Sequence, residues 1–213
     1  MQTLTELVLT HSQHSCFSAE ELVHLIPGTD DARYNLVKRA LAAGEIIRIR
    51  RGLYCLAPRY RRSPLNLFAV AQHVYGPSYI SLESALSHHG WIPEAVYTVT
   101  SASFGESTVF ETPVGTFSYT RVPQDSFYAA VDRVTDTESG DIALIARPLK
   151  ALSDYVYAYR KDWSSSEPAI ESLRIEPEDL SELSSEDIEE VLHSYRNKRV
   201  IRFLSALREE YKP

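Results

Sequence analysis

Residues 46–56 read Ile46-Ile47-Arg48-Ile49-Arg50-Arg51-Gly52-Leu53-Tyr54-Cys55-Leu56. Two β-prone runs flank a turn that carries Gly52, and Ala57-Pro58 closes the second run, so the stretch predicts a two-stranded hairpin. Alternation puts Ile47 and Ile49 on one face and Arg48 and Arg50 on the other, which turns the cations outward if the isoleucines are core. Arg51 lies at the tip, and Arg59, Arg61 and Arg62 extend the same positive field just beyond. Upstream, Asp31 to Ala43 predicts a helix, capped by Thr29 or Asp30 and stopped by Gly44, which reaches the left-handed conformation cheaply. On its wheel Tyr34, Leu36, Val37, Ala40 and Leu41 share the apolar side with Arg33, while Asn35, Lys38, Arg39 and Ala42 face away. Ser18 followed by Glu21 is a capping box ahead of Leu22, Leu25 and Ile26, and Pro27-Gly28 ends that run. Leu4, Leu7 and Val8 mark a first helix over residues 3–12.

Three helices followed by a hairpin is the element order of a winged helix-turn-helix, in which the third helix enters the major groove and the hairpin flanks it. An Asn and two cations on the exposed face of the third helix suit base-edge and phosphate contacts. The residues expected to meet double-stranded DNA are Asn35, Lys38, Arg39, Arg48, Arg50, Arg51, Arg59, Arg61 and Arg62. The charge agrees with this placement. From Arg33 to Arg62 nine Lys or Arg face one acid, Glu45, a formal +8; with a total of −7 the rest of the chain carries −15. Ten acids between Glu167 and Glu190 face only Arg174. A short basic module is thus joined to an acidic body, which argues against indiscriminate coating of nucleic acid.

Downstream, Ser63-Pro64 predicts the start of a helix running through Leu67, Phe68, Val70, Ala71 and Val74. Tyr79-Ile80 is β-like, Ser81 caps a helix to His89, and Ala95 to Ser101 alternates as a strand. Thr108–Thr112 and Thr116–Val122 read as a hairpin, Ile142–Ala146 as a strand, and Pro148 opens a helix with Ala151, Leu152, Tyr155, Val156 and Tyr159 in register. Two further helices carry Ile188, Val191, Leu192 and Tyr195, then Val200, Phe203, Leu204, Leu207 and Tyr211. The expected fold class is α+β: a winged helix-turn-helix over 1–62, an α+β domain with antiparallel strands over 63–163, and an acidic linker with C-terminal helices packing on it over 164–213.

With 213 residues, 44% apolar and 24% charged, the composition is that of an ordinary globular protein. No apolar run approaches the ~20 residues of a membrane span, and Met1 to Glu6 lacks the basic start of a signal peptide, so a cytoplasmic protein is expected. Cys16 and Cys55 make no Cys-x-x-Cys pair and are read as buried small apolar residues. Glu83 and His88 are five apart on a helix and diverge by about 140° at 100° per residue, which reads as an exposed helix end rather than a catalytic pair. His11, His14, Cys16 and His24 lack metal-ligand spacing. With no phosphate-cradling glycine loop, nucleophile elbow or nuclease core, no enzyme, metal or cofactor is expected. A ligand-sensing regulator, with Trp91, Tyr97, Phe104 and the other aromatics lining a pocket, is the alternative.

Four blocks carry a closer likeness: residues 46–54; Tyr79-Ile80-Ser81-Leu82-Glu83-Ser84-Ala85-Leu86-Ser87-His88-His89-Gly90; Val96-Tyr97-Thr98-Val99-Thr100-Ser101; and Ile145-Ala146-Arg147-Pro148-Leu149-Lys150-Ala151-Leu152-Ser153-Asp154. In order and spacing they resemble AbiEi-family antitoxins over about residues 5–160. The family pattern has an acid before the lysine of the fourth block, where this sequence has Leu149. The resemblance implies a DNA-binding antitoxin of a type IV toxin-antitoxin pair whose winged helix represses its own operon, with or without an inverted repeat in the operator. It also implies a nucleotidyltransferase-like toxin as functional partner, countered without a stable complex, and no membrane.

Overall fold

The structure is a computed structural model that describes residues 3–211; Met1 and Gln2, part of the N-terminal stretch read above, lie outside them. Helix α1 (Leu4–His11) starts at a capping box formed by Thr3 and Glu6. Strand β1 (Cys16–Ser18) leads into α2 (Ala19–Leu25), whose own box pairs Ser18 with Glu21. Helix α3 (Asp30–Ala42) is capped by the Thr29 side chain, which accepts from the Ala32 amide at 3.3 Å. Strands β2 (Ile46–Arg50) and β3 (Leu53–Leu56) form the expected hairpin, and a single 3₁₀ turn, Pro58–Tyr60, follows.

The small sheet has the order β1-β3-β2, antiparallel throughout. Strand β1 is absent from the sequence reading because three residues carry no usable alternation; pairing with the open edge of β3 creates it. That register sets Cys16 opposite Cys55 with their Cα atoms 4.0 Å apart, and the two form a disulfide. The expectation of two unpaired apolar cysteines is thereby corrected: partners 39 positions apart in sequence meet only through the register.

The rest of the chain builds α4 (Leu67–Val74), β4 (Ser78–Ile80), α5 (Leu82–His88), β5 (Thr98–Ser103), β6 (Thr108–Thr112), β7 (Gly115–Arg121), β8 (Val131–Thr135) and β9 (Ile142–Ala146). Helices α6 (Pro148–Ala158), α7 (Glu167–Leu173), α8 (Pro177–Ser181), α9 (Ser185–Ser194) and α10 (Lys198–Glu210) complete it. Helix α4 begins at Asn66, whose side chain accepts from the Phe68 and Ala69 amides, so Pro64 precedes the helix instead of opening it. The six strands form one sheet in the order β6-β7-β5-β4-β9-β8. It is mixed rather than simply antiparallel, because β5 runs parallel to β7 and β4 parallel to β9. The acidic stretch expected as linker folds in part into α7 and α8, which bury Ala169, Leu173 and Leu180. Among the described residues no helix is long and apolar enough to cross a membrane.

Two hydrophobic clusters hold the fold. The smaller joins Leu4, Val8, Phe17, Leu22, Ile26, Val37, Ala40, Ile46 and Leu56. The larger runs from α4 through the six-stranded sheet to α6, α9 and α10. The β2–β3 hairpin serves both, because Ile46 and Leu56 point into the smaller while Ile49, Leu53 and Cys55 point into the larger. Within the larger cluster Asp154 is fully buried and accepts hydrogen bonds from Tyr79, Ser81, Tyr195 and Gln124. Ser81 therefore precedes α5 without capping it by its side chain; its hydroxyl goes to Asp154 at 2.6 Å instead. Lys150, also fully buried, contacts the Tyr195 ring at 4.4 Å and donates to Gln124. Burial lowers the Lys150 ammonium, and Asp154 works against that shift.

Candidate nucleic-acid interface

Helix α3 packs on α1, α2 and β2 through Val37 and Ala40, with Leu36 and Leu41 half-buried beside them. Asn35, Lys38, Arg39 and Ala42 are exposed. Tyr34 joins them: it is 67% exposed, against the expectation that it lies on the buried side. On the wheel it sits only about 40° from Lys38 at ~100° per residue, so the packing, not the periodicity, decides on which side of the edge it falls. Arg33 takes the apolar flank, half-buried, and donates to the Ile26 and Gly28 carbonyls at 3.0 and 2.7 Å and to Asp30 at 2.6 Å. Asp30 and Asp31 in the first turn complement the helix dipole, so the positive potential of α3 lies toward its C-terminal half, at Lys38 and Arg39.

In the hairpin Arg48 and Arg51 are exposed. Arg50 behaves differently. The register slips between Arg48 and Arg50, so Arg48 opposes Tyr54 while Arg50 opposes Leu53. One extra residue in β2 is a bulge, and it moves Arg50 to the opposite face from Arg48. Its guanidinium donates to the Val74 carbonyl at the end of α4 and lies 5.9 Å from the Phe110 ring centroid. The reading that Arg48 and Arg50 share a face is thus corrected, since alternation fails at a bulge, while Arg50, like Arg48, stays exposed.

The arginines beyond the hairpin divide as well. Arg59 is exposed, stacks over Tyr60 at 4.8 Å and reaches the Ala43 carbonyl at 3.3 Å, which ties the 3₁₀ turn to the end of α3. Arg62 is exposed and donates to the Leu9 carbonyl. Arg61 is half-buried, bonds the Leu56 carbonyl at 2.7 Å, and leaves Nη2 buried without a partner, so burial lowers its pKa. It faces the protein and not solvent.

Among the described residues, none of Lys38, Arg39, Arg48, Arg51, Arg59 and Arg62 is within ion-pair distance of a carboxylate. A cluster of uncompensated cations raises the local potential and is suited to an external polyanion. Asn35 and Tyr34 lie between them and add donors, an acceptor and an aromatic face. Tyr34 is the surface residue that sequence reasoning missed; its place at the wheel boundary was the available signal. No curated protein matches the chain. Residues 6–57, the segment that presents Tyr34, Asn35, Lys38, Arg39, Arg48 and Arg51, match the family model described as "Transcriptional regulator, AbiEi antitoxin".

Proposed function

We propose that the chain is a DNA-binding transcriptional regulator acting as the antitoxin of a type IV toxin-antitoxin pair, and that it represses its own operon. In this reading residues 1–62 are a winged helix-turn-helix, with α3 as the recognition helix in the major groove and the β2–β3 turn as the wing. Asn35 reads a base edge, Lys38 and Arg39 contact bases or phosphates, and Arg48, Arg51, Arg59 and Arg62 contact the backbone. Arg50 and Arg61 hold the fold around them. Residues 63–163 form the effector domain, on which the helices of 164–213 pack, and a nucleotidyltransferase-like toxin is the functional partner without a stable complex. The observation that carries the reading is the strip of uncompensated cations on α3 and the hairpin, inside the segment that matches a transcriptional-regulator family.

The test is a salt-titrated binding assay of the protein against the DNA upstream of its own gene, with a scrambled duplex as competitor. Preference for the upstream DNA, weakening steeply with salt, is the expected result. Equal binding of both duplexes at every salt concentration would remove the assignment.

A further inference from the structure

Strands β5 and β7 bury Val99, Phe117 and Tyr119 on one face, and the Tyr119 hydroxyl reaches α4 there, at the Ala71 carbonyl. On the other face, toward α7, lies a groove of about 620 Å³. That volume falls within the ~300–1,000 Å³ range of small-molecule sites. Its walls include Glu83, Tyr97, Thr98, Ser118, Tyr159 and Leu173.

The polar groups of this groove are unbalanced. Glu94 is neutralised by Arg174 across its rim. Glu83 has no basic partner: its Oε1 accepts from the Tyr159 hydroxyl at 2.6 Å, and its Oε2 is buried with no hydrogen-bond partner. A carboxylate oxygen left in that state is an exception that a bound donor would explain. Beside it Tyr97 is 91% exposed and Tyr159 is half exposed. Both rings thus leave large apolar surface uncovered at the groove, and ring faces attract cations. Outside Arg33–Arg62 the chain carries a formal −15, a net charge of the same sense. With Glu94 paired to Arg174, one free carboxylate among hydroxyls and rings offers too few oxygens to hold Mg²⁺ or Ca²⁺, which take roughly six or more ligands, several of them charged.

We infer that this groove binds a small organic cation, a protonated amine on an apolar body, with Glu83 as its counter-ion and Tyr97 and Tyr159 as its aromatic walls. The terminal torsion of a glutamate is broad, so the Glu83 carboxylate can turn toward the groove without moving the backbone. Both oxygens move in that turn and each accepts more than one bond, so the ammonium and the Tyr159 hydroxyl share the carboxylate.

The inference is tested by calorimetric titration of the full-length protein, without DNA, so its outcome is independent of the DNA-binding proposal. The probes are the hydrochlorides of phenethylamine, n-butylamine, putrescine and agmatine at constant ionic strength, with 2-phenylethanol as the uncharged match to phenethylamine. Saturable binding of at least one amine is expected, as is a preference of about tenfold or more for phenethylamine over the alcohol, the weight of one charge-assisted hydrogen bond. Glu83→Gln, which preserves the acceptor for Tyr159, removes that preference and leaves the melting temperature in place. Tyr97→Ala, a truncation in solvent, weakens the amine and leaves the fold intact. The inference fails if no amine saturates at millimolar concentration, if the alcohol binds as tightly as phenethylamine, or if Glu83→Gln binds the amine as the parent protein does.

Discussion

Arginine does two different things in the two halves of this chain. Six of the seven arginines from Arg147 onward pair with a carboxylate: Arg147 with Asp132 and Glu190, Arg174 with Glu94, Arg196 with Asp125, Arg199 and Arg202 with Asp162, and Arg208 with Glu189. Arg160, like the isolated Arg121 and Arg133 earlier in the body, has no such partner among the described residues. In the N-terminal segment Arg33 alone has such a partner, among the described residues, and Lys38, Arg39, Arg48 and Arg51 stand in solvent without one. Folding can account for the first set, whose charges are balanced within the chain. It does not account for the second, since clustered like charges repel and raise the free energy of the compact state. Residue type therefore says less about role than the presence or absence of an internal counter-ion.

The largest test of this contrast lies in the body. Asp154→Ala leaves Tyr79, Ser81 and Tyr195 without their shared acceptor and Lys150 buried without its neighbouring carboxylate. A loss of about 3–5 kcal/mol is expected, the usual cost of breaking a buried charged cluster from one side, measured by denaturant unfolding. A loss below about 1 kcal/mol would show that the cluster is not a structural keystone of the body.

Next in size are Lys38→Ala and Arg39→Ala, each expected to weaken binding to the operator by about 1–3 kcal/mol where the side chain meets a base edge. Thermal stability is unchanged in both, since neither side chain bonds to another element. Wild-type affinity in both variants would move the interface off α3. The hairpin supplies a sharper internal control. Arg51→Ala is expected to reduce the slope of log K against log salt by about 1, as loss of one phosphate contact does. Arg50→Ala leaves that slope unchanged and costs stability instead, because its guanidinium is engaged with the Val74 carbonyl. Identical salt slopes in the two variants would erase the distinction drawn from the bulge. The smallest effect is expected at Arg202→Ala, which removes an exposed pair with Asp162. It should cost no more than about 1 kcal/mol, and DNA binding should not respond.

Several helix starts were legible, because their signal is local. The boxes Thr3–Glu6 and Ser18–Glu21 satisfy backbone amides within one turn, and only Ser18–Glu21 was picked out in the sequence. The hairpin at 46–56 was equally plain, for its turn residues lie inside the same short window. Reading failed wherever a distant residue decided the outcome. Ser81 looks like a cap until Asp154, on α6, takes its hydroxyl. Strand β8 at the sheet edge is mostly exposed and alternates poorly, so only its pairing with β9 reveals it. In the candidate DNA surface Lys38, Arg39, Arg48 and Arg51 were legible from amphipathicity. Tyr34, Arg50 and Arg61 were not, since their positions depend on a wheel edge, a bulge and a fold-back onto Leu56.

The sequence by itself determined where charge accumulates, which segments are helical at the N-terminus, and that a hairpin with a basic tip follows α3. These depend on interactions across a few residues and hold in any fold that contains them. Only the tertiary structure decided which of the clustered cations remain without a counter-ion, which cysteine faces which, and that Glu83 lines a groove with one oxygen unpartnered. Each of those is set by strand register and by packing between residues tens of positions apart. A one-residue bulge in β2 carries Arg50 to the face opposite Arg48, where its still exposed side chain reaches the Val74 carbonyl, and no local pattern records such a shift.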